Sequence, residues 1–230
     1  MGIKDALQRV ENRIHEACLR SGRDPREIQL MGVSKFHGSD EVAEAWDAGL
    51  RLFGENRVQE AAEKFPGFME THAGCELHMI GTLQRNKVKA AVQLFHCIQS
   101  VDRVELITEL GKHTAGREKP LPILLEMHTG EASKAGFPDL DSLSRGAEQV
   151  LECPGLVIRG LMTMAPYTDD TAVVRSSFKT LSAARDRLAE RFPGCDWSCL
   201  SMGMSNDFEI AIEEGATLLR VGTMIFGDRV

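Results

Sequence analysis

No apolar run in the 230 residues approaches the roughly 18 needed to cross a bilayer, which excludes a helical membrane span. The opening stretch MGIKDALQRVENRIHEACLR carries charges throughout and has no apolar core segment, so it is not a secretory signal. Ala6 stands where a myristoylation pattern needs Ser or Thr. The six cysteines, Cys18, Cys75, Cys97, Cys153, Cys195 and Cys199, show no C-x-x-C spacing. They read as reduced core thiols rather than a disulfide framework or zinc site, and a cytoplasmic location is expected. Without H-x-x-x-H, H-E-x-x-H or a Cys/His cluster, no metal centre is expected, and without G-x-S-x-G a nucleophilic serine has no support. Basic residues are outnumbered, 27 Lys+Arg against 34 Asp+Glu for a formal net charge of −7, which argues against nucleic acid or an anionic membrane as partner.

What remains is a soluble globular composition, 43% hydrophobic and 27% charged, with no linker or low-complexity tract. Apolar residues at Leu7, Val10, Ile14 and Cys18 recur at helical spacing from Ile3 until Ser21-Gly22 stops them. Ile28–Ser34 then reads as a buried strand, with a helix starting at Ser39-Asp40-Glu41 and ending at Gly49. Further strands are expected at Arg51–Phe53, Leu77–Ile80, His96–Gln99, Pro122–Met127, Val157–Leu161, Ser198–Met202 and Leu218–Val221. Glu63–Gly74, with Pro66, Gly67 and Gly74, is expected to be a loop. Eight β segments alternating with helical stretches predict an α/β fold: a single (β/α)8 TIM-type barrel spanning 1–230, with an extra N-terminal helix.

In such a barrel the chemistry sits at the carboxyl ends of the strands. That face selects Ser34-Lys35-Phe36-His37, Gly54-Glu55-Asn56, the segment from His78 to Lys87, Gly203–Asp207 and Arg220–Thr223. Ser205 can cap the helix after Gly203, and Gly222-Thr223 lets backbone amides approach a ligand, so the two loops together predict an anion cradle; a plain cap and a plain turn explain the same residues. Lys35 is the candidate nucleophile, an amine at a strand end, against the alternative of an ordinary solvated lysine. Arg220, between Leu219 and Val221, requires a structural carboxylate or a ligand if buried. His78 reads as a ligand contact or as a hydrogen-bonded structural histidine.

The segments GVSKFH (32–37), FGENRVQE (53–60), HMIGTLQRNK (78–87), SKAGF (133–137), RGLMTMAP (159–166) and SMGMSNDFEIAIEEGATLLRVGTMIFG (201–227) span nearly the whole chain. In these the sequence resembles the pyridoxal 5′-phosphate (PLP) homeostasis proteins, the YggS/PROSC group of alanine-racemase-like barrels. The resemblance implies a Schiff base between PLP and Lys35, phosphate binding by Ser205 and the Gly222-Thr223 amides, Arg220 facing the pyridine nitrogen and Asn56 near the ring. His78 and Ser201 are implied as supporting positions. The sequence departs from the family pattern at Phe36-His37 and at 131–134. The implied function is intracellular PLP (vitamin B6) homeostasis, with PLP buffered or delivered, apo PLP-dependent enzymes as partners, and a monomeric state. The alternative is a PLP-dependent racemase or lyase acting on a small amino acid. Two-base racemization is disfavoured, because Tyr167 is the only tyrosine and the chain ends at Val230 with no length left for a further β domain. A third reading keeps the Schiff-base lysine without PLP, as in an aldolase.

Overall fold

The computed structural model describes residues 2–130 and 135–227. The departure at 131–134, and with it the start of the SKAGF segment, lies outside the described residues. Eight strands among them, β1 (Gln29–Val33), β2 (Leu52–Glu55), β3 (Glu76–Met79), β4 (Cys97–Val101), β5 (Leu121–Glu126), β6 (Leu156–Met162), β7 (Cys199–Ser201) and β8 (Leu218–Val221), pair in sequence order. All pairs are parallel, and β8 closes on β1 with Gly32 opposite Val221, so the expected barrel is present. The helices are α1 (Ile3–Ser21), α2 (Ser39–Asp47), α3 (Val58–Lys64), α4 (Pro66–Thr71), α5 (Val88–Leu94), α6 (Val104–Thr114), α7 (Leu140–Leu151), α8 (Thr171–Arg191), α9 (Phe208–Glu213) and α10 (Thr223–Phe226).

Strand alternation divides the core in two. Met31, Val33, Leu52, Ile80 and Leu218 pack with one another inside the barrel, beside Cys97, Leu124 and Met162. Their neighbours in sequence, among them Phe53, Leu77, Ile98, Ile123, Leu200 and Leu219, join the larger core beneath the helices. By the same period of two, His78, Gln99, Glu126, Ser201 and Arg220 face inward. α1 packs on α2, α9 and α10. It thereby covers the flank where α10, only four residues long, leaves β8 and β1 without a full-length outer helix. Gly160 in β6 has φ +142°, and a Cβ there would lie 1.8 Å from the Cys199 carbonyl oxygen, so only glycine lets β6 and β7 approach.

The structure corrects the loop expected at Glu63–Gly74, which contains the end of α3 and all of α4. Pro66 occupies the first position of α4, where a missing N–H costs nothing. Phe68 then anchors that helix edge-on against Phe53 and Phe65, with ring centroids 6.3 Å apart in each case. β2 and β4 also run further toward their carboxyl ends than expected, through Gly54-Glu55 and Ser100-Val101, where small or polar residues hide the continuing strand. The cysteines are free thiols, Cys18, Cys75 and Cys97 buried and Cys153, Cys195 and Cys199 half-buried. No helix among the described residues is long and apolar enough to cross a membrane.

Candidate functional site

Lys35 lies two residues beyond Val33, on the inward parity of β1, and is half-buried at the carboxyl mouth. It belongs to a tight turn closed by the His37 N–H donating to the Ser34 carbonyl at 3.1 Å, with Phe36 at φ +69°. The turn is tied on several sides. The Ser34 hydroxyl donates to Glu55 Oε1 at 2.8 Å, and the Phe36 N–H donates to Glu60 Oε1 at 2.5 Å. His37 Nδ1 lies 2.8 Å from Glu41 Oε1, and its ring stacks on Phe226 of α10 with centroids 5.2 Å apart. The hydrogen bond from His37 holds the Glu41 carboxyl below its ordinary value.

Asn56 directly follows β2, whose Gly54 pairs with Val33. Its Oδ1 is buried and has no hydrogen-bond partner among the described residues. A buried amide oxygen left without a donor costs about 1–3 kcal/mol, so a group that brought a donor to this position would be favoured there.

The loops after β7 and β8 meet the same mouth. The Arg220 N–H donates to the Gly203 carbonyl at 2.9 Å, tying the loop after β7 to β8. A Cβ at Gly222 would lie 3.2 Å from the Val33 carbonyl oxygen, so glycine brings the start of α10 against the end of β1. The first amides of α10, from Thr223 onward, precede its intrahelical bonds. Ser205 is half-buried in the turn between Gly203 and α9. The expectation that it caps the following helix is corrected: the N-cap is Asp207, whose carboxylate accepts from the Met204 N–H at 2.5 Å while α9 begins only at Phe208. A turn inserted after Met204 moves the cap from position 205 to 207 and the helix start by two residues, leaving the Ser205 hydroxyl free of that duty.

Arg220 is buried and heads a polar chain inside the barrel. Its guanidinium donates to Ser201 Oγ and to the Thr163 carbonyl, both at 2.7 Å. Ser201 Oγ lies 2.6 Å from Gln99 Oε1, and Gln99 Nε2 lies 2.8 Å from His78 Nδ1. Arginine can only donate, so Ser201 Oγ accepts from Arg220 and turns its own hydrogen to Gln99 Oε1. With the amide in this orientation Gln99 presents its NH2 to His78, which accepts on Nδ1 as the neutral ring with its proton on Nε2. Burial also pushes the His78 pKa down, against the opposing pull of Glu76. Its ring lines a cleft of about 390 Å³ at the amino ends of the strands, with Gln29, Glu76, His96, Cys97 and Cys199. Thus the structure brings Lys35, Asn56, Gly222 and Thr223 to one mouth with Ser205, sets Arg220 and Ser201 beneath, and places His78 toward the opposite end.

Residues absent from the sequence reading complete this core. Glu126, the last residue of β5, is buried, and its carboxyl is pushed up to about 7, chiefly by burial, next by the charge of Asp102, with Arg220 pulling the other way. Burial lowers the Arg220 pKa, with Glu126 opposing. Lys64 is buried against Glu55 at 2.6 Å. The signal for Glu126 was available, as a charge closing an apolar strand in the same manner as Arg220. Lys64 gave none, because it falls in the stretch Glu63–Gly74 expected to be a loop, where a lysine is ordinarily solvated.

Comparison with known proteins agrees with this geometry. The family model for the alanine racemase N-terminal domain matches residues 6–230. A pyridoxal phosphate homeostasis protein of Aquifex aeolicus is 38% identical over 229 residues, covering 100% of this chain and 99% of the relative. The chain belongs to the pyridoxal phosphate homeostasis proteins. Among solved structures, an unknown protein from Bifidobacterium adolescentis superposes with a TM-score of 0.90 at 33% identity, over 97% of this chain and 94% of that one. PipY of Synechococcus elongatus, solved with PLP bound, gives 0.82 at 35% identity over 95% and 100%. The segments in which this chain resembles the homeostasis family cluster at the carboxyl ends of β1, β2, β3, β6, β7 and β8, the end of the barrel that also carries the orphaned Asn56 oxygen and the first amides of α10.

Proposed function

We propose that the protein holds PLP at the carboxyl mouth of the barrel and serves intracellular PLP homeostasis by buffering or delivering it. The observation that carries this reading is the close approach of Gly222 to Val33, two residues before Lys35, at the same barrel mouth as the buried, donor-less Oδ1 of Asn56. The donor set suits the group: an amine at Lys35, amides and hydroxyls at Ser205 and Thr223 for a phosphate, and a donor-only cation at Arg220 for an aromatic nitrogen. Bound PLP supplies a reactive aldehyde and, when its ring nitrogen is protonated, an electron sink. Arg220 has no lone pair to receive that proton and no proton it readily gives up, so it favours an unprotonated nitrogen and weak carbanion chemistry. Its bonds to Ser201 and to the Thr163 carbonyl keep the guanidinium in place. His78 supports that position through Gln99 without contacting the ligand. This favours holding the aldehyde over turning over amino acids. Residues 1–230 act as one unit in this reading, in the cytoplasm, as a monomer that passes PLP to apo enzymes.

The test is Lys35→Ala. Wild-type protein given PLP should show absorbance beyond the aromatic band that borohydride fixes onto the peptide containing Lys35. The variant should fold, keep weak phosphate-dependent binding and yield no modified peptide; labelling at another lysine in both proteins would refute the assignment.

A further inference from the structure

The turn that presents Lys35 is gripped from behind by three charged residues that need not touch the ligand. Lys64, at the end of α3, has a side chain only 6% exposed, and Glu55 beside it is fully buried. Lys64 Nζ donates to the Ser34 carbonyl at 2.8 Å, to Glu55 Oε1 at 2.6 Å and to Glu60 Oε1 at 3.3 Å. Glu60 Oε1 in turn accepts the Phe36 N–H at 2.5 Å. The Ser34 carbonyl belongs to the peptide before Lys35 and the Phe36 N–H to the peptide after it. Both peptide planes flanking the Lys35 Cα are therefore held by one ion cluster, and the direction of its Cα–Cβ bond is held with them.

Phe36 shows that this grip works against a local preference. It occupies the third position of a turn closed between Ser34 and His37, with φ +69°, a conformation that suits glycine or asparagine. A phenylalanine stays there only when its surroundings over-determine it. The ring is half exposed to solvent, with Arg57 above it, so the bond from its amide to Glu60 is a main restraint. A buried ion pair is a poor source of net stability, because desolvation offsets most of its attraction. Geometric definition is what this one supplies.

Resting on the reading of Lys35 as the covalent anchor, we propose that Lys64, acting with Glu55 and Glu60, is a positioning residue that sets the trajectory of the Lys35 amine. Its effect falls on bond formation between the Lys35 nitrogen and the aldehyde carbon, in which the carbonyl oxygen leaves as water with the two amine protons. Binding of the phosphate and ring depends on other loops.

Two measurements on Lys64→Met test this. In cofactor-free protein, exchange of the Phe36 amide with solvent should accelerate on the order of tenfold or more while strand amides of β4 and β5 keep their protection. With ligand, affinity for PLP should fall on the order of tenfold or more, whereas affinity for pyridoxine 5′-phosphate, which carries no aldehyde, keeps its wild-type value. Phe36→Asn added to Lys64→Met should restore much of the PLP affinity, since asparagine accepts the turn without the clamp. A folded Lys64→Met protein with wild-type Phe36 exchange and PLP affinity overturns the proposal, as does equal loss of both ligands. If Lys64→Met does not fold, Glu60→Ala, at a partly exposed position, is held to the same outcomes. Wild-type protein that binds neither ligand would refute the PLP reading itself, while the exchange measurement still judges the clamp.

Discussion

Glu126 offers a test of the barrel's interior electrostatics that needs no ligand. Its carboxyl releases its proton near 7 in the folded chain, against 4.5 for an ordinary glutamate. The anion is therefore disfavoured on folding by about 3 kcal/mol, a net figure in which the attraction of Arg220 already works against burial and Asp102. Because the folded pKa is raised, this group's contribution to stability is fully present below 4.5 and is lost as pH rises to about 7. Glu126→Gln keeps the shape of the protonated form and has no proton to lose. The variant should match wild type at pH 4.5 and exceed it by about 3 kcal/mol at pH 8, which for a chain of this length raises Tm by roughly 6–12 °C. Urea or thermal unfolding of both cofactor-free proteins from pH 4.5 to 8.5 measures it, and the difference between the two curves cancels the titrating groups that do not interact with Glu126. A flat difference refutes the reasoning. A variant less stable than wild type at pH 8 would show that the Glu126 anion is bound as the partner of Arg220, the charge pair outweighing burial.

Gln99→Leu removes the middle of the polar chain, leaving the Ser201 hydroxyl without its acceptor and His78 Nδ1 without its donor. Unfolding in urea should show a loss of about 2–4 kcal/mol; a loss under about 1 would mean that water replaces the amide and that the chain does not hold Arg220. Gly160→Ala places a methyl group 1.8 Å from the Cys199 carbonyl oxygen at a φ that alanine resists. The expected cost is about 4 kcal/mol or more, read as loss of soluble protein or a collapsed Tm, and near-wild-type stability would sink that account of the β6–β7 contact.

The architecture was legible because β1, β5, β6 and β8 are apolar runs bounded by turn residues, and their order dictates a parallel closed sheet. The site was legible only in part. Lys35, Ser205 and Gly222-Thr223 follow strands directly, so position along the chain reveals them. Gln99, Thr163, Glu126 and Lys64 act across strands, between residues 19 to 102 apart along the chain for the bonds of the Arg220 chain. Strand alternation says that such residues face inward but not which of them meet. α4 was hidden for a local reason: Pro66 and Gly67 end helices when they lie inside them, yet proline at a first helical position starts one.

The two buried cations near the mouth solve the same problem. A strand that ends at a ligand-facing mouth leaves carbonyls beyond the last ladder bond, and a buried carbonyl needs a donor. Lys64 supplies one to Ser34 just after β1, and Arg220 supplies one to Thr163 just after β6. Each cation is then balanced from a different strand, Lys64 by Glu55 at the end of β2 and Arg220 by the field of Glu126 at the end of β5. The difference between them is informative. Lys64 reaches its carboxylate directly and holds the peptide before Lys35 itself and the peptide after it through Glu60, so its loss should displace the Lys35 side chain. Arg220 donates instead to a hydroxyl and a carbonyl, both neutral, so its positive charge is offset through space by Glu126 and less fully than that of Lys64, and an anionic, electron-rich ligand at the mouth would add to that compensation.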